Sequence, residues 1–305
     1  MPLAAGSAIL LVAHGTPSDP SELPEFLRRI RRGRDAPAAL VEELRHRYET
    51  IGGSPLLADT HAQAARLQAL AGQPVFVGMR FAAPWIADAL RAAASRGARR
   101  LAVVPLAPYS VTIYTAAVRA ALRDVEPSLE SPIALAGAAP WGAHPRLIEA
   151  HAAAIAHADP APGPETRLVL TAHSLPTAAI RAGDAYEREV RASADAVAVA
   201  LGRGATLAFQ SQGADGGDWL GPSVDEALAR LHAEGARRVV VAPIGFLAEH
   251  VETLFDLDHD ARRTAERLGL AFVRVPALRD DPALGEALLD VATLALATLP
   301  SGAGA

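Results

Sequence analysis

An internal repeat constrains this chain more than any other feature. Residues 10–17, Leu-Leu-Val-Ala-His-Gly-Thr-Pro, return at 169–176 as Val-Leu-Thr-Ala-His-Ser-Leu-Pro, with His14 over His173 and Pro17 over Pro176 at an offset of 159. Residues 97–105, Gly-Ala-Arg-Arg-Leu-Ala-Val-Val-Pro, return at 235–243 as Gly-Ala-Arg-Arg-Val-Val-Val-Ala-Pro. This second offset, 138, also superposes Pro84 on Pro222 and Ala89-Leu90 on Ala227-Leu228. Each copy reads as an apolar strand, a helix entered near a proline, and a Gly-Ala-Arg-Arg turn into another strand. Unbroken Val/Ile/Leu runs alternating with helical patterns belong to parallel sheets covered on both faces. The expected fold is therefore α/β, with two similar Rossmann-like domains, residues 1–140 and 141–305, and a cleft between them.

Composition agrees and narrows the chemistry. A chain of 305 residues is long enough for two cores. Half its residues are hydrophobic, 21% are charged and the formal net charge is -5, a globular balance that argues against a nucleic-acid binder. There is no cysteine. That removes disulfides, thiolate nucleophiles, zinc–thiolate sites and cysteine-held iron–sulfur clusters, so a metal must meet His, carboxylate, Tyr or Met. The apolar run 9–13 is too short for a bilayer and lacks the basic start of a secretory signal, so a cytoplasmic protein with no integral membrane segment is expected. No Walker loop, Gly-x-Gly-x-x-Gly or Gly-x-Ser-x-Gly motif is present; Ser211 sits in Phe-Gln-Ser-Gln-Gly. Residues 301–305, Ser-Gly-Ala-Gly-Ala, read as a frayed tail.

Parallel sheets bind ligands at the carboxyl ends of their strands. His14, His173, residues 105–110 and residues 243–246 all lie just past such ends. His173 is either a structural cap of its strand or an imidazole offered to the cleft, where it would serve as base or iron ligand. From Glu249 to Asp260 the chain is dense in acids, and Glu252, Asp256 and Asp260 stand at i, i+4 and i+8, one face of a helix. Such a row is a solvated surface or a path for a cation. The two offsets differ by 21, so the first half carries about that much extra chain, including Ile30-Arg31-Arg32-Gly33-Arg34. The arginines at 28, 29, 31, 32, 34, 45 and 47 form either a solvated helix face or a site for carboxylates.

Beyond these features the chain resembles the ferrochelatases along nearly its whole length. The resemblance is carried by residues 13–17 (Ala-His-Gly-Thr-Pro), 30–34, 47–56 (Arg-Tyr-Glu-Thr-Ile-Gly-Gly-Ser-Pro-Leu), 172–176 (Ala-His-Ser-Leu-Pro), 209–213, 219–222 (Trp-Leu-Gly-Pro) and 245–256 (Gly-Phe-Leu-Ala-Glu-His-Val-Glu-Thr-Leu-Phe-Asp). It implies two chelatase-type domains and a lyase that inserts ferrous iron into a porphyrin. By the same resemblance His173 and Glu252 face each other across the porphyrin as the catalytic, metal-handling pair, and Asp256 and Asp260 continue an acidic metal ridge. The family carries a longer acid at the last of these positions. Arg31, Arg47 and Ser54 would contact propionates, and Tyr109 and Ser110 would line the cleft. His14 departs from the bacterial relatives, which carry Tyr there, and would sit against substrate as an axial ligand to haem iron; otherwise it merely preserves the repeat.

The arginine-rich insertion matches coproporphyrin III, with four propionates, better than protoporphyrin IX, with two. The resemblance thus points to the coproporphyrin branch, a monomer in haem biosynthesis with no cofactor beyond substrate iron. Rival readings are a protoporphyrin ferrochelatase, a cobalt, nickel or sirohydrochlorin chelatase, and a non-catalytic haem carrier.

Overall fold

The computed structural model describes residues 3–213 and 217–300; the tail 301–305 lies outside them. The chain divides into two compact units, one built from residues up to Trp141 together with those from Arg279 onward, the other from Gly142–Leu278.

In the first unit, β1 (Ser7–Ala13) is followed by α1 (Leu23–Ile30), α2 (Ala38–Thr50), α3 (Leu56–Ala71), β2 (Val75–Met79), α4 (Ile86–Ser95), β3 (Arg100–Pro105), α5 (Val111–Val125) and β4 (Ala134–Gly137). The strands are parallel in the order β2-β1-β3-β4. Leu10 of β1 pairs with Phe76 on one side and Val103 on the other. A strand so enclosed is buried along its full length, which is why its sequence is apolar without alternation. Leu90 of α4 and Val118 of α5 pack on Leu10, Val12 and Val103 to form one core.

The second unit runs α6 (Pro145–Ala158), β5 (Thr166–His173), α7 (Thr177–Arg181), α8 (Tyr186–Leu201), β6 (Ala205–Gln210), α9 (Val224–Ala233), β7 (Arg238–Ala242), α10 (Val251–Leu254), a π-helical turn (Asp256–Ala261), α11 (Arg262–Arg267) and β8 (Ala271–Arg274). Its parallel order, β6-β5-β7-β8, repeats that of the first sheet. One face packs Val169, Val239 and Val241 against Leu228, Leu257 and Ala265. The other packs Leu170 and Val240 against Ile148, Ile155 and Val197.

The repeat therefore holds at the level of topology. The aligned prolines both follow cis peptide bonds, Ala83-Pro84 and Gly221-Pro222. A helix begins two residues after each, at Ile86 and Val224. Gly97 and Gly235 take φ of 81° and 92°, the left-handed conformation that lets each Gly-Ala-Arg-Arg turn leave its helix for the next strand. The extra chain of the first half is the β1-to-β2 connection, residues 14–74, about twice as long as its counterpart 174–204 and carrying α1 and α2.

The domain boundary expected at residue 140 needs a correction at the far end. α12 (Pro282–Ala297) belongs to the first unit rather than the second, packing on α3 and β3. Arg100 Nη2 donates to the carbonyl of Leu296 at 2.9 Å. The helix buries Leu284, Leu288, Val291, Ala292 and Leu296. The second sheet already has both faces covered, and α12 supplies an apolar face to the first.

Candidate active site

His173 is the last residue of β5, and it and Ser174 after it are held from three directions. Tyr186 Oη donates to the His173 carbonyl at 2.9 Å, Ser174 N donates to Gln210 O at 2.7 Å, and Ser174 Oγ donates to Leu220 O at 2.8 Å. Gly245 permits the close approach behind it, since a Cβ there would lie 2.7 Å from Ala172 Cα. The imidazole Nδ1 is hydrogen-bonded to the carbonyl oxygen of Ser174. A carbonyl only accepts, so Nδ1 carries the hydrogen and Nε2 is the nitrogen turned toward Glu252. The Nε2 to Oε1 separation is 3.6 Å.

The resemblance implies that His173 and Glu252 face each other across a porphyrin; here the two side chains stand side by side. A flat ring gripped between two groups keeps them about 7 Å apart, twice the ~3.5 Å contact distance. The two side chains instead form one ion pair within the second unit, both about one-third exposed. Burial alone would lower the pKa of His173. The negative charge of Glu252, the Ser174 carbonyl and Asp256 outweigh it and raise the pKa from 6.5 to about 9. Nearby His250 goes the other way: burial lowers its pKa, and its Nδ1 accepts from Thr253 N at 3.3 Å, as a neutral ring does. One charged and one neutral imidazole therefore stand in the same site.

Glu252 lies in the first turn of α10, which His250 and Thr253 cap reciprocally. Gln210 Nε2 donates to the Glu252 carbonyl at 2.6 Å, tying the helix start to the end of β6. The next residue, Ser211, takes a left-handed φ of 59° and donates its hydroxyl to Asp256 Oδ2 at 2.5 Å. The row expected along one α-helical face is also different in form. From Asp256 to Ala261 the chain is π-helical, and the carbonyl of Phe255 accepts from both His259 N and Asp260 N. Phe255 and His259 stack with ring centroids 5.3 Å apart. Such turns are rare and concentrate at functional sites. Asp260 is exposed. Among the described residues no three His, Asp or Glu side chains converge to hold a metal ion unaided. The set His173, Glu252, Asp256 and Asp260 is thus not a preformed cage, because Asp256 is engaged by Ser211 and Asp260 faces outward.

The remaining candidates lie in the first unit. His14 follows β1, exposed, with Nδ1 3.3 Å from Tyr114 Oη and its ring 4.7 Å from that of Phe81. The Arg80 guanidinium covers the rings of both Phe81 and Tyr114. Arg31 caps the end of α1 and is half-buried, whereas Arg47, in the last turn of α2, pairs with Glu43 at 2.5 Å. Ser54 Oγ accepts from Leu56 N at 3.4 Å. Tyr109 is buried, so in that loop Ser110 presents more surface. Sequence reasoning passed over Tyr114, Phe81 and Arg80 around His14, and Gln210, Ser211 and Tyr186 around the pair. Of these only Gln210 and Ser211 stood in a segment that carried the resemblance.

A profile of the Ferrochelatase family matches residues 6–296. A ferrochelatase of Acidobacterium capsulatum is 39% identical over 94% of this chain and 93% of its own length, and one of Thermus thermophilus is 37% identical over 90% and 94%. A coproporphyrin III ferrochelatase of Mycobacterium tuberculosis is 36% identical over 90% of this chain and 82% of its own. Among solved structures, SirB from Bacillus subtilis with Fe3+ shares the fold at a TM-score of 0.62 and 16% identity, covering 95% of this chain and 96% of that one. With a family match that takes in both copies of the repeat and the His173–Glu252 pair, the chain belongs to the ferrochelatases, lyases that insert iron into porphyrins.

Proposed function

We propose that this ferrochelatase inserts ferrous iron into coproporphyrin III to form coprohaem. Metalation exchanges two inner N–H protons of the ring for one Fe2+, so the protein must take up two protons and pass them on. The observation that carries the reading is the His173–Glu252 pair at 3.6 Å, with Nδ1 of the imidazole fixed to a carbonyl and Nε2 turned to the carboxylate. Glu252 is one acceptor and His173, once deprotonated, the other, both working from one side of the ring. The four ring nitrogens supply the iron's equatorial ligands, so no protein cage is required.

Coproporphyrin rather than protoporphyrin is favoured by the arginines of the long connection and by the mycobacterial relative's name. Arg32 and Arg34 are exposed and have no acidic partner among the described residues, which suits them to propionates. Arg31, Arg47 and Ser54 complete the propionate contacts in this reading, Tyr109 and Ser110 border the ring, and His14 ligates the iron of the product. The enzyme acts as a cytoplasmic monomer and needs no resident cofactor. No helix among the described residues is long and apolar enough to cross a membrane.

Anaerobic incubation with Fe2+ and either porphyrin, followed by absorption spectroscopy, tests the proposal. Coproporphyrin III is expected to be metallated in preference to protoporphyrin IX, and His173→Ala to bind porphyrin but not metallate it. Preference for protoporphyrin would overturn the substrate, and full activity of His173→Ala the mechanism. Parallel assays with Co2+ and Ni2+ separate the rival chelatases.

A further inference from the structure

Glu252 and Asp256 ride on a stretch, residues 249–258, whose two ends are held by a single side chain from another element. Arg274, the last residue of β8, is only 11% exposed in its side chain. Its Nη1 donates to Glu249 Oε1 at 2.8 Å, and its Nε donates to Asp258 Oδ1, also at 2.8 Å. Glu249 is buried and fully engaged: Oε1 also accepts from Ala277 N at 2.9 Å, and Oε2 accepts from Thr253 Oγ1 at 2.6 Å. Thr253 is the residue after Glu252. Asp258 lies in the π-helical turn, two residues past Asp256, with Arg262 Nη2 3.6 Å away.

We propose that Arg274 is a positioning residue for iron insertion: one guanidinium grips both ends of the 249–258 segment and thereby holds Glu252 at its working distance from His173. The inference rests on the reading of that pair as the proton acceptor. A segment of this length left open at one end samples many conformations, and closing it removes that freedom in advance of the reaction. The planar fork matters because its nitrogens reach two carboxylates in different directions at once. A lysine ammonium is a single point and keeps one partner only.

The test uses the full chain with Arg274→Lys, Asp258→Ala and the double variant, measuring kcat, KM for Fe2+, the Kd for coproporphyrin III and the melting temperature. Each single variant is expected to lower kcat about tenfold, within the loss that a ~1 Å misplacement produces, while the porphyrin Kd stays within about twofold. The double variant should be no worse than the poorer single one, since both cut the same arm. Arg274→Lys retains a cation for buried Glu249; should it nevertheless fail to fold, Asp258→Ala leaves that pair intact and decides the matter. A kcat within about twofold of wild type in Asp258→Ala, even with a lowered melting temperature, overturns the inference, as does a double variant whose loss is the product of the two single losses. His173→Ala in the same assays keeps the two claims apart. If it is fully active the proton-acceptor reading fails; if it is inactive while Asp258→Ala keeps its kcat, only the role of Arg274 fails.

Discussion

At the scale of single residues, the raised proton affinity of His173 is the property with the clearest outward sign. With a pKa of about 9, the imidazole of the free enzyme is charged at neutral pH and accepts a proton only after losing its own. The pH profile of kcat/KM is therefore expected to rise through about pH 9, and Glu252→Gln should shift the titration of His173, followed by NMR, downward. Stability follows the same linkage. Because the folded-state value lies above the unfolded 6.5, protonated His173 contributes in full below about pH 6.5, and the contribution fades as the pH rises toward about 9. A Glu252→Gln melting curve should accordingly fall further below wild type at pH 6 than at pH 9.5. The identities of His173 and Glu252 were legible from their motifs. Their 3.6 Å separation was not, because the 78 residues of intervening chain place no limit on a distance that the packing of α10 against β5 and β6 decides.

Elements fix these side chains through backbone approach more than through side-chain contact. Gly245 N donates to Thr171 O at 3.0 Å, and a methyl group at residue 245 would strike the Ala172 backbone. Gly245→Ala is expected to destabilise the protein by about 1–3 kcal/mol, the range for overpacking, and to lower kcat by displacing the end of β5; thermal melts and steady-state assays check both. The spacing of Glu252, Asp256 and Asp260 correctly marks a helical segment. It carries no signal for the π-helical turn: the pull of Arg274 on Asp258 comes from another element, and the stacking of Phe255 on His259, four residues apart, is local and equally compatible with an ordinary α-helix. The same limit hid Gln210 and Ser211, whose roles depend on where β6 ends.

For the whole molecule, the repeat foretold two similar domains with parallel sheets; the structure contains two such sheets, and their strand orders also correspond. It was silent about α12, which lies outside both repeated blocks and whose apolar face reads equally well against either sheet. Leu288, fully buried in that helix, supplies the check: Leu288→Ala should cost about 2–5 kcal/mol, with amide exchange accelerating more in β1, β3 and α3 than in β5 and β7. The return of α12 to the first unit also orders events on the ribosome. Residues 142–278 are complete before α12 has been translated, so the unit that starts first is the last to receive its full set of parts. Until then the nascent first sheet waits with the surface meant for Leu284, Leu288 and Val291 uncovered, a stretch of synthesis during which a chaperone has something to hold.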